Sequence, residues 1–343
     1  MATPQAVIDD QPKCPIAGTV PGMSCPMEDH AKVMSNKEIL SQLGKSRLSG
    51  FVSSTAVVGY VMCGGTNPAV IAAVAFGTYL QGCSANCANQ CIEIENDRLM
   101  KRTMRRPLVI GAITRPQAIG VSATELAIGT SMLAAVSPVA AGLGLVNWAL
   151  YVGVYTPLKK ISTTNTWWGA IVGAIPPVMG GVAATGTALT APALYPAYLL
   201  GGIMFVWQIP HFMSLAFHCR RDYEGAGFKM LAFNHPTRAS VYAVALTAVM
   251  AGMTTVGPAM CGIPVEPWFY VPSIAANSAM MFKAVRFHMD PVRYCRSCFV
   301  FSYMYLAVIL ALFTVNHFQP VTQIVNLVSR LTTVEEEKVA VAA

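Results

Sequence analysis

The feature that most constrains the fold of this chain is a series of long apolar segments, with basic residues in every second connecting loop. Several segments approach the roughly 20 residues that a helix needs to cross a bilayer. Only 11% of the residues are charged, whereas soluble domains carry about a quarter. The sequence therefore predicts an all-α, polytopic membrane protein. Nine helices are predicted, over residues 48–63, 68–95, 117–137, 140–157, 166–187, 191–217, 239–259, 267–285 and 299–317.

The placement of lysine and arginine supports the count of nine. All but two of the 23 basic residues lie before the first predicted helix or at the loops after helices 2, 4, 6 and 8, and the loops after helices 1, 3, 5 and 7 contain none. The positive-inside rule puts the N-terminus and these basic loops on one side of the membrane. We expect the matrix side of the mitochondrial inner membrane or, alternatively, the cytoplasmic side of a bacterial membrane. The net charge of +7 then reflects topology, and no nucleic-acid partner is expected.

Composition divides the chain into three parts. Residues 1–46 are rich in proline and polar residues and are predicted to be a disordered N-terminal segment. They contain no arginine and several acids, which is not typical of a mitochondrial presequence. Residues 47–317 form the predicted nine-helix transmembrane domain, and residues 318–343 a C-terminal tail.

A charged stretch follows the second predicted helix. Asn89, Glu93 and Asp97 recur every four residues, so a continued helix would place them along one stripe. Carboxylate and amide oxygens suit Mg²⁺, which completes its shell with substrate phosphates and water. Five bases follow at once: Arg98, Lys101, Arg102, Arg105 and Arg106. The pattern predicts a site for a metal-bound diphosphate, with the bases on the phosphate oxygens. Alternatively, the bases anchor topology and the acids pair with them along the helix.

The opposite face of the same helix carries Cys83, Cys87 and Cys91 at the same spacing. A thiolate metal site is one reading of this stripe. The favoured reading is helix packing, because no other His or Cys has ligand-like spacing with it.

Two later loops on the basic side carry further polar groups. Tyr155 and Lys159 are four residues apart, where the fourth predicted helix leaves the membrane. Asp222 follows the sixth predicted helix, directly after Arg220 and Arg221. Acidic motifs after helices 2 and 6 suggest two half-sites that face one cavity.

These motifs resemble those of UbiA-type intramembrane prenyltransferases and, within that superfamily, the haem O synthase (protohaem IX farnesyltransferase) family. The resemblance runs from about residue 43 to 316. The segments that carry it, in chain order, are "LGKSRLSGF", "CANQCIEIENDRLMKRTMRRPL", "YTPLKK", "GAIPPVMGG", "WQIPHF" and "DYEGAGFKM".

The resemblance implies a nine-helix bundle around a central cavity. It also implies transfer of farnesyl from farnesyl diphosphate to a vinyl group of haem B, with water addition, as the first step of haem A biosynthesis. Mg²⁺ is the implied cofactor. The implied catalytic and metal-binding residues are Asn89, Glu93, Asp97 and Asp222. The implied diphosphate-binding residues are Arg102, Arg106, Tyr155, Lys159 and Arg220.

The second acidic motif departs from the family pattern. The family reads Arg-Glu-Asp-Tyr, whereas this chain has arginine at position 221, before Asp222 and Tyr223. One acid has therefore become a base, which weakens the second metal half-site. At the haem end, His211 and His218 are candidates for contact with the iron or a propionate; the alternative is a hydrogen-bonded interior histidine.

The implied partners are the two substrates, the lipid bilayer, and haem A synthase or terminal oxidase assembly factors. Two Cys-Pro pairs, Cys14-Pro15 and Cys25-Pro26, resemble haem-responsive motifs, although such pairs also arise by chance in a Pro-rich segment.

A UbiA-type enzyme with another acceptor, such as a quinone-ring precursor, is the main alternative function. A transporter is disfavoured because the charges cluster at one face, away from the membrane midplane.

Overall fold

The computed structural model describes residues 34–186 and 189–318, and within this part of the chain it contains helices and no strands. Nine long helices within these residues lie at the predicted positions. Residues 1–33 of the Pro-rich segment, with its two Cys-Pro pairs, lie outside the described residues, as does nearly all of the tail. The nine helices are α1 (Ser46–Met62), α2 (Pro68–Ile92), α3 (Arg115–Val136), α4 (Pro138–Ile161), α5 (Asn165–Thr185), α6 (Pro192–His218), α7 (Pro236–Thr255), α8 (Pro267–Met289) and α9 (Pro291–Phe318).

Six of these helices, α2 to α6 and α9, are long and apolar enough to cross a membrane. The prediction of an all-α membrane protein is therefore confirmed. That α1, α7 and α8 also cross the membrane stays a prediction.

Local sequence explains where the helices start. Proline occupies the first or second position of α2 to α4 and of α6 to α8, where its missing N–H costs nothing. Asn67 caps α2 by accepting from the N–H of Ala69 at 2.9 Å. Thr114 and Gln117 form a reciprocal capping box at the start of α3.

Small residues allow α1 and α5 to pack closely. A Cβ at Gly59 would collide with the carbonyl oxygen of Pro177, and one at Gly180 with the carbonyl oxygen of Ala56. Such close approach is the usual basis of helix association in membranes. Helix α6 lies at the centre of the bundle, since two thirds of its apolar window is buried. Its side chains form the main core with those of α7, α8 and α9.

The N-terminal boundary differs from the prediction. The structure forms a helix over Asn36–Leu43, inside the segment predicted to be disordered, and Ser35 caps it. The helix is ordered because Leu43 is fully buried against Cys87 and Cys91. The same contact confirms that the cysteine stripe packs.

Two local departures shape the site. Helix α2 ends at Ile92, and a separate short helix, Ile94–Leu99, follows, so the predicted continuous helix is wrong at this point. Within α4, residues Leu150–Tyr155 are π-helical. Such π-bulges are frequent at functional sites.

Candidate active site

The predicted polar stripe survives the break in α2. The backbone N–H of Glu93 donates to the carbonyl of Asn89 at 3.0 Å, and that of Asp97 donates to Glu93 at 2.8 Å. These two bonds keep the helical i, i+4 spacing across the junction, so all three side chains reach the same region. Each of them is almost completely buried.

Every member of the stripe faces a cation. Lys159 donates to Oε1 of Glu93 at 2.9 Å, and Arg106 pairs with Oδ2 of Asp97. Lys45 donates to Oδ1 of Asn89 at 3.4 Å. Acids and bases from four separate segments therefore form one buried cluster.

The electrostatics of this cluster follow from burial. Burial raises the pKa of Asp97, and the guanidinium of Arg106 opposes that shift. Burial lowers the pKa of Lys45 well below its usual range, with further lowering by Arg106 and Lys159. An anion bound beside Lys45 would favour the charged form of its ammonium group.

One oxygen of the cluster is free to bind a ligand. Oδ1 of Asp97 is buried and has no hydrogen-bond partner among the residues that the structure describes. A buried unpaired carboxylate oxygen is costly unless a donor or a cation meets it. Asn89 and Glu93 offer further amide and carboxylate oxygens on the same stripe, which are the ligand type that Mg²⁺ prefers.

The end of α4 positions Lys159. Its ammonium lies 4.7 Å from the centre of the Tyr155 ring, and its carbonyl accepts from the N–H of Lys229 at 2.7 Å. Asn165 donates to the carbonyl of Lys229 at 2.7 Å. The loop after α6 therefore holds the loop after α4, and Asn96 ties it to the α2–α3 loop through the carbonyl of Ala226 at 2.7 Å.

A cavity of about 580 Å³ opens beneath the charged cluster, a volume typical of small-molecule sites. Its polar end contains Asn86, Tyr151 and Tyr155, and Tyr151 donates to Oδ1 of Asn86 at 3.2 Å. Apolar and aromatic side chains of α1, α5, α6 and α9 line most of the rest. The cavity thus has a polar end, which adjoins the charged cluster at Tyr155, and walls that are mostly apolar.

The two histidines are separated. His211 lines the cavity, stacks on Trp207 with ring centres 4.5 Å apart, and is hydrogen-bonded through Nδ1 to Ser302 at 2.7 Å. His218 is exposed, outside the cavity wall, with Nδ1 3.9 Å from Sγ of Cys295. His211, but not His218, is thus placed where it could contact a ligand in the cavity, because His218 is the last residue of α6 and lies beside α9.

The second predicted half-site, around Asp222, is less buried than the first. Asp222 is half-buried in the short helix Arg220–Gly225. In the described part of the chain, no three His, Cys, Asp or Glu side chains form a group that could hold a metal ion. The structure thus does not bring Asp222 together with Glu93 and Asp97.

The basic residues predicted around this half-site lie on its rim. Arg220 rests on the ring of Phe217, 4.8 Å from its centre. Arg102 is exposed and within electrostatic range of Tyr155 and Tyr223. Arg102 therefore lies at the exposed surface, and Arg220 is half-buried against the end of α6.

Two residues of the cluster were missed by sequence reasoning. Thr156 accepts from Nδ2 of Asn89 at 3.0 Å and so orients its oxygen. Lys45 had been assigned to topology alone. Its backbone is left-handed, with φ of 46°, which is uncommon outside glycine and points to a functional constraint. The motif "LGKSRLSGF" contains Lys45 and was the available signal.

The family model described as the UbiA prenyltransferase family matches residues 52–317. The chain belongs to the UbiA prenyltransferase family. This UbiA protein is 38% identical over 277 residues to "Protoheme IX farnesyltransferase, mitochondrial" of Arabidopsis thaliana, covering 79% of the chain and 63% of the relative. It is 36% identical over 278 residues to the Homo sapiens protein of the same description, covering 80% and 61%. The chain therefore spans somewhat less than two thirds of the length of these relatives.

Solved structures of low sequence identity share the fold. A digeranylgeranylglyceryl phosphate synthase superposes with a TM-score of 0.69 at 16% identity, covering 83% of this chain and 99% of that one. A UbiA homologue from Aeropyrum pernix K1 gives 0.65 at 18% identity, covering 79% and 98%. A UbiA homologue from Archaeoglobus fulgidus bound to DMAPP and Mg²⁺ gives 0.54 at 15% identity, covering 80% and 99%. The UbiA fold predicted from the sequence is thus confirmed.

Proposed function

We propose that this UbiA protein is a haem O synthase. It transfers farnesyl from farnesyl diphosphate to a vinyl group of haem B, water adds to the neighbouring carbon, and haem O and diphosphate are released. Support comes from relatives described as protoheme IX farnesyltransferases. The observation that carries the proposal is the buried acid–base cluster beside a largely apolar cavity, with Tyr155 in contact with both.

The cluster is proposed to bind the diphosphate with Mg²⁺. Asn89, Glu93 and Asp97 would hold the metal, and Asp222, which lies apart from them, would act on the diphosphate from the second loop. The Archaeoglobus fulgidus homologue was solved with Mg²⁺ and a prenyl diphosphate, which supports the same dependence here. Bound Mg²⁺ supplies positive charge against the departing diphosphate.

The bases of the site are proposed to hold the phosphate oxygens. Lys159 and Arg106 already pair with the carboxylates of the site, and both can donate charge-assisted hydrogen bonds to phosphate oxygens. Arg102 and Arg220, on the rim, would bind the outer phosphate, and the Tyr155 hydroxyl would donate beside Lys159. Stabilising the leaving group in this way lowers the barrier to breaking the C1–O bond of farnesyl diphosphate.

The cavity is proposed to protect the allylic cation. Its walls are mostly apolar, so little water reaches C1 before the vinyl group does. The faces of Tyr151, Tyr155 and Trp207 present negative π-density to a cation. His211 lies deeper along α6, and we propose that it meets the porphyrin, through iron or a propionate.

We further propose a mitochondrial inner-membrane location with the charged cluster on the matrix side. The relatives are described as mitochondrial, and the six long apolar helices fit a membrane protein. Haem A synthase or assembly factors of the terminal oxidase would be the partners that receive the product.

The test is direct. Purified protein in lipid is incubated with haem B, farnesyl diphosphate and Mg²⁺, and the mass of the haem product is measured by mass spectrometry. A farnesylated and hydrated haem supports the proposal. Unmodified haem, with prenyl transfer to an aromatic quinone-ring precursor offered in parallel, would assign the protein to the alternative acceptor.

A further inference from the structure

Unpaired polar atoms lie in the cavity wall away from the charged cluster. Thr78 and Gln81 on α2 and Asn147 on α4 line the cavity. Their side-chain oxygens Oγ1, Oε1 and Oδ1 are buried and have no hydrogen-bond partner within residues 34–186 and 189–318. Thr78 is 3% exposed and Gln81 5%. Buried polar atoms are normally paired, so these three indicate a small ligand.

The amide of Gln81 is held in a defined direction. Its Nε2 donates to Oγ1 of Thr130 at 2.9 Å. Its Oε1 lies against Gly144 of α4, where any side chain would collide with it. Asn147 follows Gly144 by about one helical turn and therefore lies on the same side of α4. Two acceptor oxygens from facing helices thus border one part of the cavity.

The chemistry of these atoms selects the ligand. Carbonyl oxygens of Gln81 and Asn147 only accept hydrogen bonds. A propionate carboxylate has no proton to donate and would be repelled, and a prenyl chain has no donor. A water molecule has two O–H donors, and its lone pairs remain for a hydroxyl or an electrophile. Buried waters typically make about three hydrogen bonds, which Thr78 completes.

The depth of this polar group matches the proposed reaction. Gln81 precedes Asn89, the first residue proposed to hold the metal-bound diphosphate, by eight residues, or about 12 Å along the helix. Farnesyl C1 starts attached to the diphosphate, and the carbon that receives the hydroxyl lies two bonds beyond C1. A water held by Gln81 would therefore lie deeper in the cavity than the diphosphate, on the side to which the reacting carbons extend.

We propose that Thr78, Gln81 and Asn147 position the water molecule that hydrates the carbocation; this inference rests on the proposed function. The C1–O bond breaks and its electron pair leaves with the diphosphate. The vinyl π-electrons form the new C–C bond to C1, which leaves the positive charge on the adjacent carbon. A water lone pair then forms the C–O bond, and the released proton ends on the diphosphate.

Substituting the residues that position the water should change the ratio of products more than it changes the rate of farnesyl transfer. Without a positioned water, the cation loses a proton from the neighbouring carbon, the vinyl carbon now bonded to C1, and the electrons of that C–H bond form a double bond to the cationic carbon. The product is then lighter by one water molecule. In Gln81→Met and in Thr78→Val, the ratio of dehydrated to hydrated farnesyl haem should rise about fivefold or more, as expected for one lost hydrogen bond.

The chain offers a matched control. Thr55 also lines the cavity and is as deeply buried as Thr78, but its hydroxyl donates to the carbonyl of Val52 at 2.7 Å. Thr55→Val should therefore leave the product ratio unchanged. Thr78→Val makes the same small change and serves if Gln81→Met folds poorly.

Mass spectrometry of the haem product, in normal and ¹⁸O-labelled water, reads the outcome. A wild type that makes no farnesylated haem would defeat the proposed function itself. A wild type that makes labelled haem O, with both variants giving the same ratio, would overturn only the water site. Loss of farnesyl transfer together with hydration, in both variants, would also overturn it, because positioning a water is not needed for the first C–C bond.

Discussion

The ion pair between Glu93 and Lys159 allows structure and catalysis to be separated. The two charged atoms are 2.9 Å apart, and the side chains are 4% and 11% exposed. In Glu93→Gln the lysine would remain buried without its counter-charge, which costs about 3–5 kcal/mol. The double variant Glu93→Gln with Lys159→Met removes both charges. Since replacing a whole buried pair is often nearly neutral, we expect it to regain most of that stability.

Catalysis should not return with stability. If both residues act on the metal-bound diphosphate, the double variant should stay at least about 100-fold slower, the size of losing one strong transition-state stabiliser. Thermal unfolding in detergent and diphosphate release, measured well below the unfolding temperature, give the two quantities. Glu95→Gln is the control, because Glu95 pairs with Arg98 at the exposed surface and such pairs contribute little. A double variant with normal turnover would refute a catalytic role for the pair.

Three further changes test the rest of the site. Asp97→Asn should lower turnover at least about 100-fold, with poor rescue by excess Mg²⁺; near-normal turnover would reduce the stripe to an ion network. Arg221→Glu restores the family pattern: tolerance would leave Arg221 outside the site, and a raised KM for farnesyl diphosphate would place it on the diphosphate. His211→Ala should weaken haem binding but not farnesyl diphosphate binding. A shifted Soret band in that variant would indicate iron ligation, and unchanged haem affinity would make His211 a packing residue.

Much of this fold follows from local sequence. The helices begin within a few residues of the predicted apolar segments, because hydropathy, proline and capping residues act over short distances. The exception is α9, which begins eight residues earlier than predicted. The spacing of Asn89, Glu93 and Asp97 predicted their common location, since helical periodicity alone brings them together. These features need no knowledge of the remaining chain.

The rest depends on contacts between distant segments. The sequence does not predict the break after Ile92, because glutamate is an ordinary helix former. In the structure, the non-helical backbone of Glu93 accompanies its ion pair with Lys159. Nothing in the sequence near Lys45 shows that Asn89 receives its ammonium. His218 is a candidate for haem contact by residue type, yet it lies at the last turn of α6, where α9 rather than the cavity is its neighbour.

The pairing of each acid with a base suggests how substrate would enter. Two free buried carboxylates would bind Mg²⁺ by themselves, whereas Glu93 and Asp97 are each neutralised by a protein cation. A metal ion alone, bound to the unpaired Oδ1 of Asp97, would add positive charge beside Lys159 and Arg106 in a buried site, which is costly. A magnesium diphosphate supplies both partners at once, because the metal meets the acids while phosphate oxygens meet the bases. We therefore infer that metal and diphosphate bind as one complex. The ion pairs of the cluster would then stay intact until a prenyl diphosphate is present.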